Sequence, residues 1–142
     1  MREILFRGKS AKDGKWFTGQ LLHFKSPVSE KELNIIVEGC EWDDSNEWFN
    51  IGRRTKVVSE TVGQYTGLTD KNGKKIFEGD IIDTPDRLVK VVWFEGNAQF
   101  DLHFIRYTNE VAITNFKGIH MRDLKEYEVI GNIYDNPELF EG

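Results

Sequence analysis

The sequence is poor in cysteine, proline and methionine, with one, three and two of them in 142 residues. The single cysteine, Cys40, excludes an intrachain disulfide and a zinc site built from several thiolates. No apolar run approaches the roughly 20 residues that a membrane-spanning helix requires, and the N-terminus lacks an apolar signal-peptide segment. These features predict a soluble cytoplasmic protein with no membrane contact.

The common catalytic motifs are also missing. The sequence has no phosphate-binding Walker loop, no Gly-x-Gly-x-x-Gly, no Gly-x-Ser-x-Gly and no His-Glu-x-x-His. Their absence speaks against the common nucleotide-dependent enzymes. We therefore predict a non-enzymatic protein with no cofactor and no metal.

What the sequence does contain is typical of a β protein of one domain. Hydrophobic residues make up 39% and aromatic residues 13%, and thirteen glycines accompany the three prolines. Aromatic and β-branched residues favour strands, and no segment keeps a helical period over three turns. Strands are predicted at 4–6, 34–37, 88–94, 98–104, 111–113 and 127–134, a helical turn at 121–125, and a long loop with aromatic anchors at 39–50.

The stretch at the centre of the chain predicts a β-hairpin. Residues 70–73, Asp-Lys-Asn-Gly, form a turn signal because Asn and Gly tolerate positive φ. Gly67 and Gly79 flank this turn at similar distances, where a bulge or close backbone approach is expected. A similar order of turn, lysine, aromatic, glycine and apolar pair occurs at residues 12–22. One interpretation is an internal duplication within a single domain, 1–142, with halves of about 1–56 and 57–142; the alternative is convergent turn chemistry.

The central stretch and the two terminal segments carry motifs that resemble those of one protein family. The quoted motifs are ILFRGK at 4–9 with Trp16, ETVGQYTGL at 60–68, DKNG at 70–73, EGDI at 78–81 and EVIGNIYDNPEL at 128–139. Together they resemble the YopX family of phage and prophage proteins. The resemblance implies a mostly β protein with SH3-like, partly open barrel character, of phage origin and without an established activity.

The charges are unevenly distributed around a net charge of −5. Residues 38–47 hold five acids and no base, and residues 126–142 hold another five acids and no base. A net acidic protein is a poor general nucleic-acid binder, but a local basic patch with aromatic residues binds single strands by stacking. The residues predicted for nucleic-acid or partner binding are Arg53, Arg54, Lys56, Lys71, Lys74, Lys75, Trp42 and Trp48.

Two groups of carboxylates are candidate sites. Glu78, Asp80 and Asp83 follow the central turn, where an acid pair on one face would suit acid–base catalysis or a hard cation; capping and solvated charge is the favoured alternative. The acids of residues 43–47 lack the ligand spacing of an EF-hand loop and predict a solvated loop.

The favoured function is a self-associating protein-interaction module, and the alternative is a nucleic-acid-binding accessory protein. The apolar strand at 88–94 has apolar residues on both faces, so a second layer or a second subunit is needed to cover it. We expect a homo-oligomer, with a host or phage protein as a further partner.

Overall fold

The computed structural model describes residues 1–109 and 118–141. Strands dominate this part of the chain, which confirms the all-β prediction. Ten strands are present in it: β1 Phe6–Lys9, β2 Trp16–Lys25, β3 Glu32–Asp43, β4 Trp48–Lys56, β5 Gly63–Thr69, β6 Lys75–Phe77, β7 Asp80–Asp83, β8 Arg87–Phe94, β9 Gln99–Tyr107 and β10 Glu128–Asn132. Short 3-10 turns occupy Ser59–Thr61, Met121–Glu126 and Pro137–Leu139. The second of these matches the predicted helical turn, and the predicted strand at 111–113 lies outside the described residues.

The chain forms two compact units, Met1–Gln64 and Tyr65–Gly142. Strand β5 begins in the first unit, where Gly63 and Gln64 pair with β1, and ends in the second, where it pairs with β6. No helix within the described residues is long and apolar enough to cross a membrane. The single domain, its duplication and the SH3-like character stay predictions.

In the first unit, β1 to β4 pair in sequence, each antiparallel to the next. Ile36 of β3 is fully buried, and Val37 and Val57 are also core residues. A bridge between Ser10 and Val57 brings the chain after β4 beside the end of β1. The backbone N–H of Ala11 donates to the carbonyl oxygen of Lys56 at 3.1 Å in the same region. The end of β4 therefore lies beside the turn that follows β1.

The predicted long loop at residues 39–50 is wrong. Strand β3 continues to Asp43, β4 begins at Trp48, and the two pair in register from Ile35↔Lys56 to Asp43↔Trp48. The sequence predicts a loop here because glycine and acids interrupt the run of apolar residues that ends at Val37. Strand pairing needs only backbone hydrogen bonds and one favourable turn, so both strands extend through these polar residues.

In the second unit, four strands form a sheet in the order β10-β7-β8-β9. Its core contains Ile76, Ile82, Val89, Val91, Leu124 and Val129. The central turn is as predicted, with Gly73 at φ +80°, and Gly67 and Gly79 also have positive φ. The register of β5 on β6 shifts between Tyr65 and Thr69, so Gly67 lies within an irregularity of the strand pair.

The apolar strands of the second unit are buried over only part of their length. Leu88, Val89 and Val91 of β8 are buried, whereas Trp93 and Phe94 at its end are 42% and 41% exposed. In β9, which covers most of the strand predicted at 98–104, Leu102 is half-buried but Phe104 is exposed. Apolar surface remains where the strands run past their core.

Candidate functional site

The β3–β4 hairpin ends in a tip, residues 41–49, that combines aromatic side chains with acids. Every residue of the tip is exposed. Trp42 is 59%, Trp48 64% and Phe49 52% exposed. The sequence predicted aromatic anchors here, but these side chains lie at the surface, because the hairpin extends away from the buried part of β3.

The turn of the tip is held by Asp43. Its Oδ1 atom accepts hydrogen bonds from the Ser45 hydroxyl at 2.6 Å and the Ser45 backbone N–H at 2.9 Å, and its Oδ2 atom accepts one from the Asn46 amide at 2.8 Å. The Ser45 hydroxyl, and then Asn46, lower the pKa of Asp43 below its ordinary value. Asp43 therefore stays charged while it shapes the turn, and Asp44 and Glu47 extend into solvent.

The hairpin passes through a pair of glycines before the tip. Gly39 has φ +74°, which L-residues other than glycine rarely adopt. A Cβ atom on Gly52 would lie 2.0 Å from the carbonyl oxygen of Glu38, so only glycine fits on that side. The two strands therefore approach each other closely between the buried and the exposed half of the hairpin.

An apolar groove of about 410 Å³ lies beside this bend. Its lining includes Leu5, Leu22, Val37, Phe49 and Ile51. Leu22 is 43% exposed, and the free thiol of Cys40 also lines the groove. The apolar surface of the tip thus continues along the hairpin.

A basic cavity of about 500 Å³ lies at the base of the same hairpin. It is lined by Ser10, Ala11, Lys12, Asp13, Phe17, Arg53, Arg54, Thr55 and Lys56. The bridge between Ser10 and Val57 brings the turn after β1 beside the end of β4, which adds Lys12 to the three basic residues of β4. Four cations and one carboxylate line the cavity.

Two of the charged groups in the basic cavity have contacts within their own unit. The guanidinium carbon of Arg53 lies 4.6 Å from the ring centre of Phe17, and its Nε atom is 3.9 Å from the Glu38 carboxylate. The backbone N–H of Lys15 donates to Asp13 and is the main cause of the lowered pKa of that carboxyl. In contrast, Arg54 and Lys56 form no ion pair with any residue that the structure describes.

The remaining predicted basic residues belong to the second unit. Lys71 pairs with Glu128 at 3.4 Å, with both side chains about half exposed. The Lys75 ammonium lies 4.8 Å from the ring centre of Tyr65, and Lys74 is exposed. The structure therefore brings Arg53, Arg54 and Lys56 together in one cavity. The three lysines of the central turn do not line that cavity.

The carboxylates after the central turn have three different surroundings. Asp80 is 1% exposed and its Oδ2 atom accepts a hydrogen bond from the backbone N–H of Phe77 at 2.8 Å. Glu78 is half-buried and lies between β6 and β7, next to Gly79 with its φ of +90°. The prediction that Glu78 and Asp80 share one face of a strand is therefore wrong. Asp83 is exposed at the end of β7.

Sequence reasoning missed Lys12 and Phe17 in the basic cavity, and Leu5, Leu22 and Ile51 in the apolar groove. The basic cavity depends on a bridge between residues far apart in the chain, for which no local pattern exists. The groove residues do carry a signal, since Leu22 and Ile51 are apolar residues in strands of mixed polarity.

Two comparisons with known proteins give a match, one to a family model and one to a solved structure. The family model described as YopX protein matches residues 5–141. The crystal structure of protein EF1440 from Enterococcus faecalis is similar to this chain with a TM-score of 0.60 and 23% identity, over 99% of each chain. No curated protein matches the sequence.

Proposed function

The chain belongs to the YopX family, and we propose that it is a non-enzymatic protein-interaction module, of phage or prophage origin, that self-associates through the β3–β4 hairpin. The carrying observation is the exposure of Trp42, Trp48 and Phe49 on one tip. Cytoplasmic location and a host or phage protein as a further partner belong to the same proposal.

Exposed aromatic residues in a group favour a protein interface. Aromatic side chains bury a large area for few rotatable bonds, and they are enriched at the centres of interfaces. Single apolar residues are common on any surface, but a contiguous apolar patch marks an interaction site. The tip and the apolar groove meet at Phe49, so they supply such a patch.

The buried carboxylates support a structural role over a catalytic one. Asp80 accepts the Phe77 backbone N–H, and Asp70, 4% exposed, accepts three backbone N–H groups. Backbone donors lower the pKa of Asp70 in spite of its burial, so this carboxyl serves poorly as a general acid. Both acids therefore act as internal supports of turns in the second unit.

Light scattering at micromolar concentrations tests self-association. We expect a mass that is a multiple of 16.5 kDa for the wild type, and a shift to the monomer for the double variant Trp42→Ala, Trp48→Ala. The matched control is Trp93→Ala with Phe104→Ala, which removes two exposed aromatic residues of the second unit. A monodisperse wild-type monomer would overturn the proposal.

The basic cavity favours nucleic-acid binding as a second candidate function. Four cations beside Phe17 match the combination of charge and stacking that single strands need. If single-stranded DNA binds there, its affinity falls by about one log unit per log unit of salt for each phosphate neutralised. A gel shift of single-stranded DNA at physiological salt tests this, and we expect no retention because the protein has a net charge of −5. Retention that Arg54→Glu abolishes would assign nucleic-acid binding to the cavity.

A further inference from the structure

The two ends of the β3–β4 hairpin carry opposite charge. The tip holds Glu41, Asp43, Asp44 and Glu47 without a base, and the basic cavity at the base holds four cations. Strand β4 connects the two, and it places Glu47 of the tip about 30 Å from Lys56 of the cavity at the usual rise of a strand. Charges so far apart barely interact within one hairpin, because the Debye length is about 8 Å at physiological salt.

Strand β4 is also the last strand of its sheet. In the described part of the chain it pairs only with β3 along Trp48–Lys56, and the neighbouring contact comes from Ser10 and Ala11 at its very end. Such an edge offers backbone donors and acceptors to a further strand. Arg53, Arg54 and Lys56 on this edge favour a neighbour that brings carboxylates beside them.

A second copy of the chain is the partner that fits both observations. An antiparallel pair of β4 strands over residues 49–55 leaves the Ala11 contact at Lys56 in place. It brings the tip of one copy to the cavity end of the other copy's β4, near the side chains of Arg54 and Lys56, and the two-fold axis repeats this contact. We propose that two copies associate in this way, with each acidic tip lying against the partner copy's basic cavity. This pairing rests on the self-association proposed above and specifies its geometry.

The tip and the basic cavity are complementary in their side chains as well as in their net charge. Arg54 and Lys56, and Asp44 and Glu47, form no ion pair with residues that the structure describes, so their charges are available to a partner. Trp42 and Trp48 offer ring faces to the cations of the cavity, and such contacts are stronger when water is excluded. The arrangement is closed, because each copy uses both of its ends once.

Charge reversal with cross-complementation tests the pairing. The tip variant is Asp44→Lys with Glu47→Lys, which spares Asp43 and its turn. The base variant is Arg54→Glu with Lys56→Glu, which spares Arg53 and its contacts with Phe17 and Glu38. Each variant places like charges at both contacts, so we expect its dimer dissociation constant, by sedimentation, to rise about tenfold or more.

Mixing the two variants restores opposite charges at both contacts, so the mixture should form a heterodimer with nearly wild-type affinity. A single chain that carries all four substitutions should dimerise for the same reason. Circular dichroism of each variant shows whether the strands are intact. A variant that fails to fold is replaced by its single substitutions, which should each weaken the dimer by a smaller factor.

Three results would overturn the pairing. If both variants associate as tightly as the wild type, self-association stands but its geometry is wrong. If the mixture and the four-substitution chain stay monomeric, charge complementarity between tip and base is not what holds the two copies together. If only nucleic-acid binding is lost in the base variant, the basic cavity serves a nucleic acid. A wild type that is monomeric throughout would overturn the proposed function itself.

Discussion

Asp70 joins the central hairpin turn to strand β10 by accepting a hydrogen bond from the backbone N–H of Val129 at its Oδ2 atom, at 3.1 Å. Its Oδ1 atom accepts from the backbone N–H groups of Asn72 and Lys74, both at 2.9 Å. One buried side chain thus closes the turn and anchors a strand 59 residues away. The second unit depends on this carboxylate being charged.

Replacing Asp70 by Asn should destabilise the protein by about 1–3 kcal/mol, because an amide nitrogen would face one of the three backbone donors. The measurement is the free energy of unfolding in urea at neutral pH. Asp83→Asn removes the same charge at an exposed site and is the control. Equal effects of the two variants would show that the hydrogen bonds of Asp70 contribute nothing specific.

The same carboxylate predicts a pH dependence. Burial raises the pKa of Asp70, but hydrogen bonds from Val129, Lys74 and Asn72 outweigh it and lower the pKa below its ordinary value. A depressed pKa contributes stability that is present above the unfolded value of about 3.9 and is lost as the pH falls through the folded value. The difference in unfolding free energy between wild type and Asp70→Asn should therefore narrow below about pH 4.

The turn itself predicts a backbone effect at Gly73. Its φ is +80° and a Cβ atom would meet nothing within 4 Å, so any cost of substitution is conformational strain. We expect Gly73→Val to lower the unfolding free energy by about 1–3 kcal/mol, and Gly73→Asn by less, because Asn tolerates this region. An unchanged urea midpoint in the valine variant would contradict the turn assignment.

Gly19 predicts a steric effect of a different origin. A Cβ atom there would lie 2.1 Å from the carbonyl oxygen of Val37, since β2 and β3 approach closely. Gly19→Ala must push the strands apart and should cost about 1–3 kcal/mol. Gly118→Ala is the matched comparison, because its φ lies outside the left-handed region and its Cβ atom would lie 3.8 Å from the His120 ring, an ordinary contact. Thermal unfolding should show the larger loss for Gly19→Ala.

Arg87 and Asp86 form an ion pair that is largely buried. Arg87 is 5% exposed and donates from Nε to Oδ1 at 2.8 Å and from Nη2 to Oδ2 at 2.6 Å. Asp86→Ala removes two charge-assisted hydrogen bonds from a buried cation and should destabilise the protein by about 3 kcal/mol. Glu128→Gln breaks the exposed pair with Lys71 and should change stability by less than about 1 kcal/mol; comparable losses would show that burial is unimportant.

The sequence alone determined the features that depend on neighbours in the chain. Positive φ at Gly73, the bulge near Gly67 and the mostly β character follow from local turn chemistry and side-chain propensity. The quoted family motifs also lie in continuous segments, and the family match confirms them. Residues 39–50 were predicted wrongly because polar residues in a long hairpin look like a loop.

Only the tertiary structure decided which distant residues share a surface. The basic cavity needs Ser10 beside Val57, and the support of the central turn needs Asp70 beside Val129. Strand pairing brings such residues together through backbone hydrogen bonds, which any sequence can supply, so no residue pattern announces the partner. Exposure of the tip is likewise a property of the folded hairpin, because burial depends on what packs against a strand and not on its own residues.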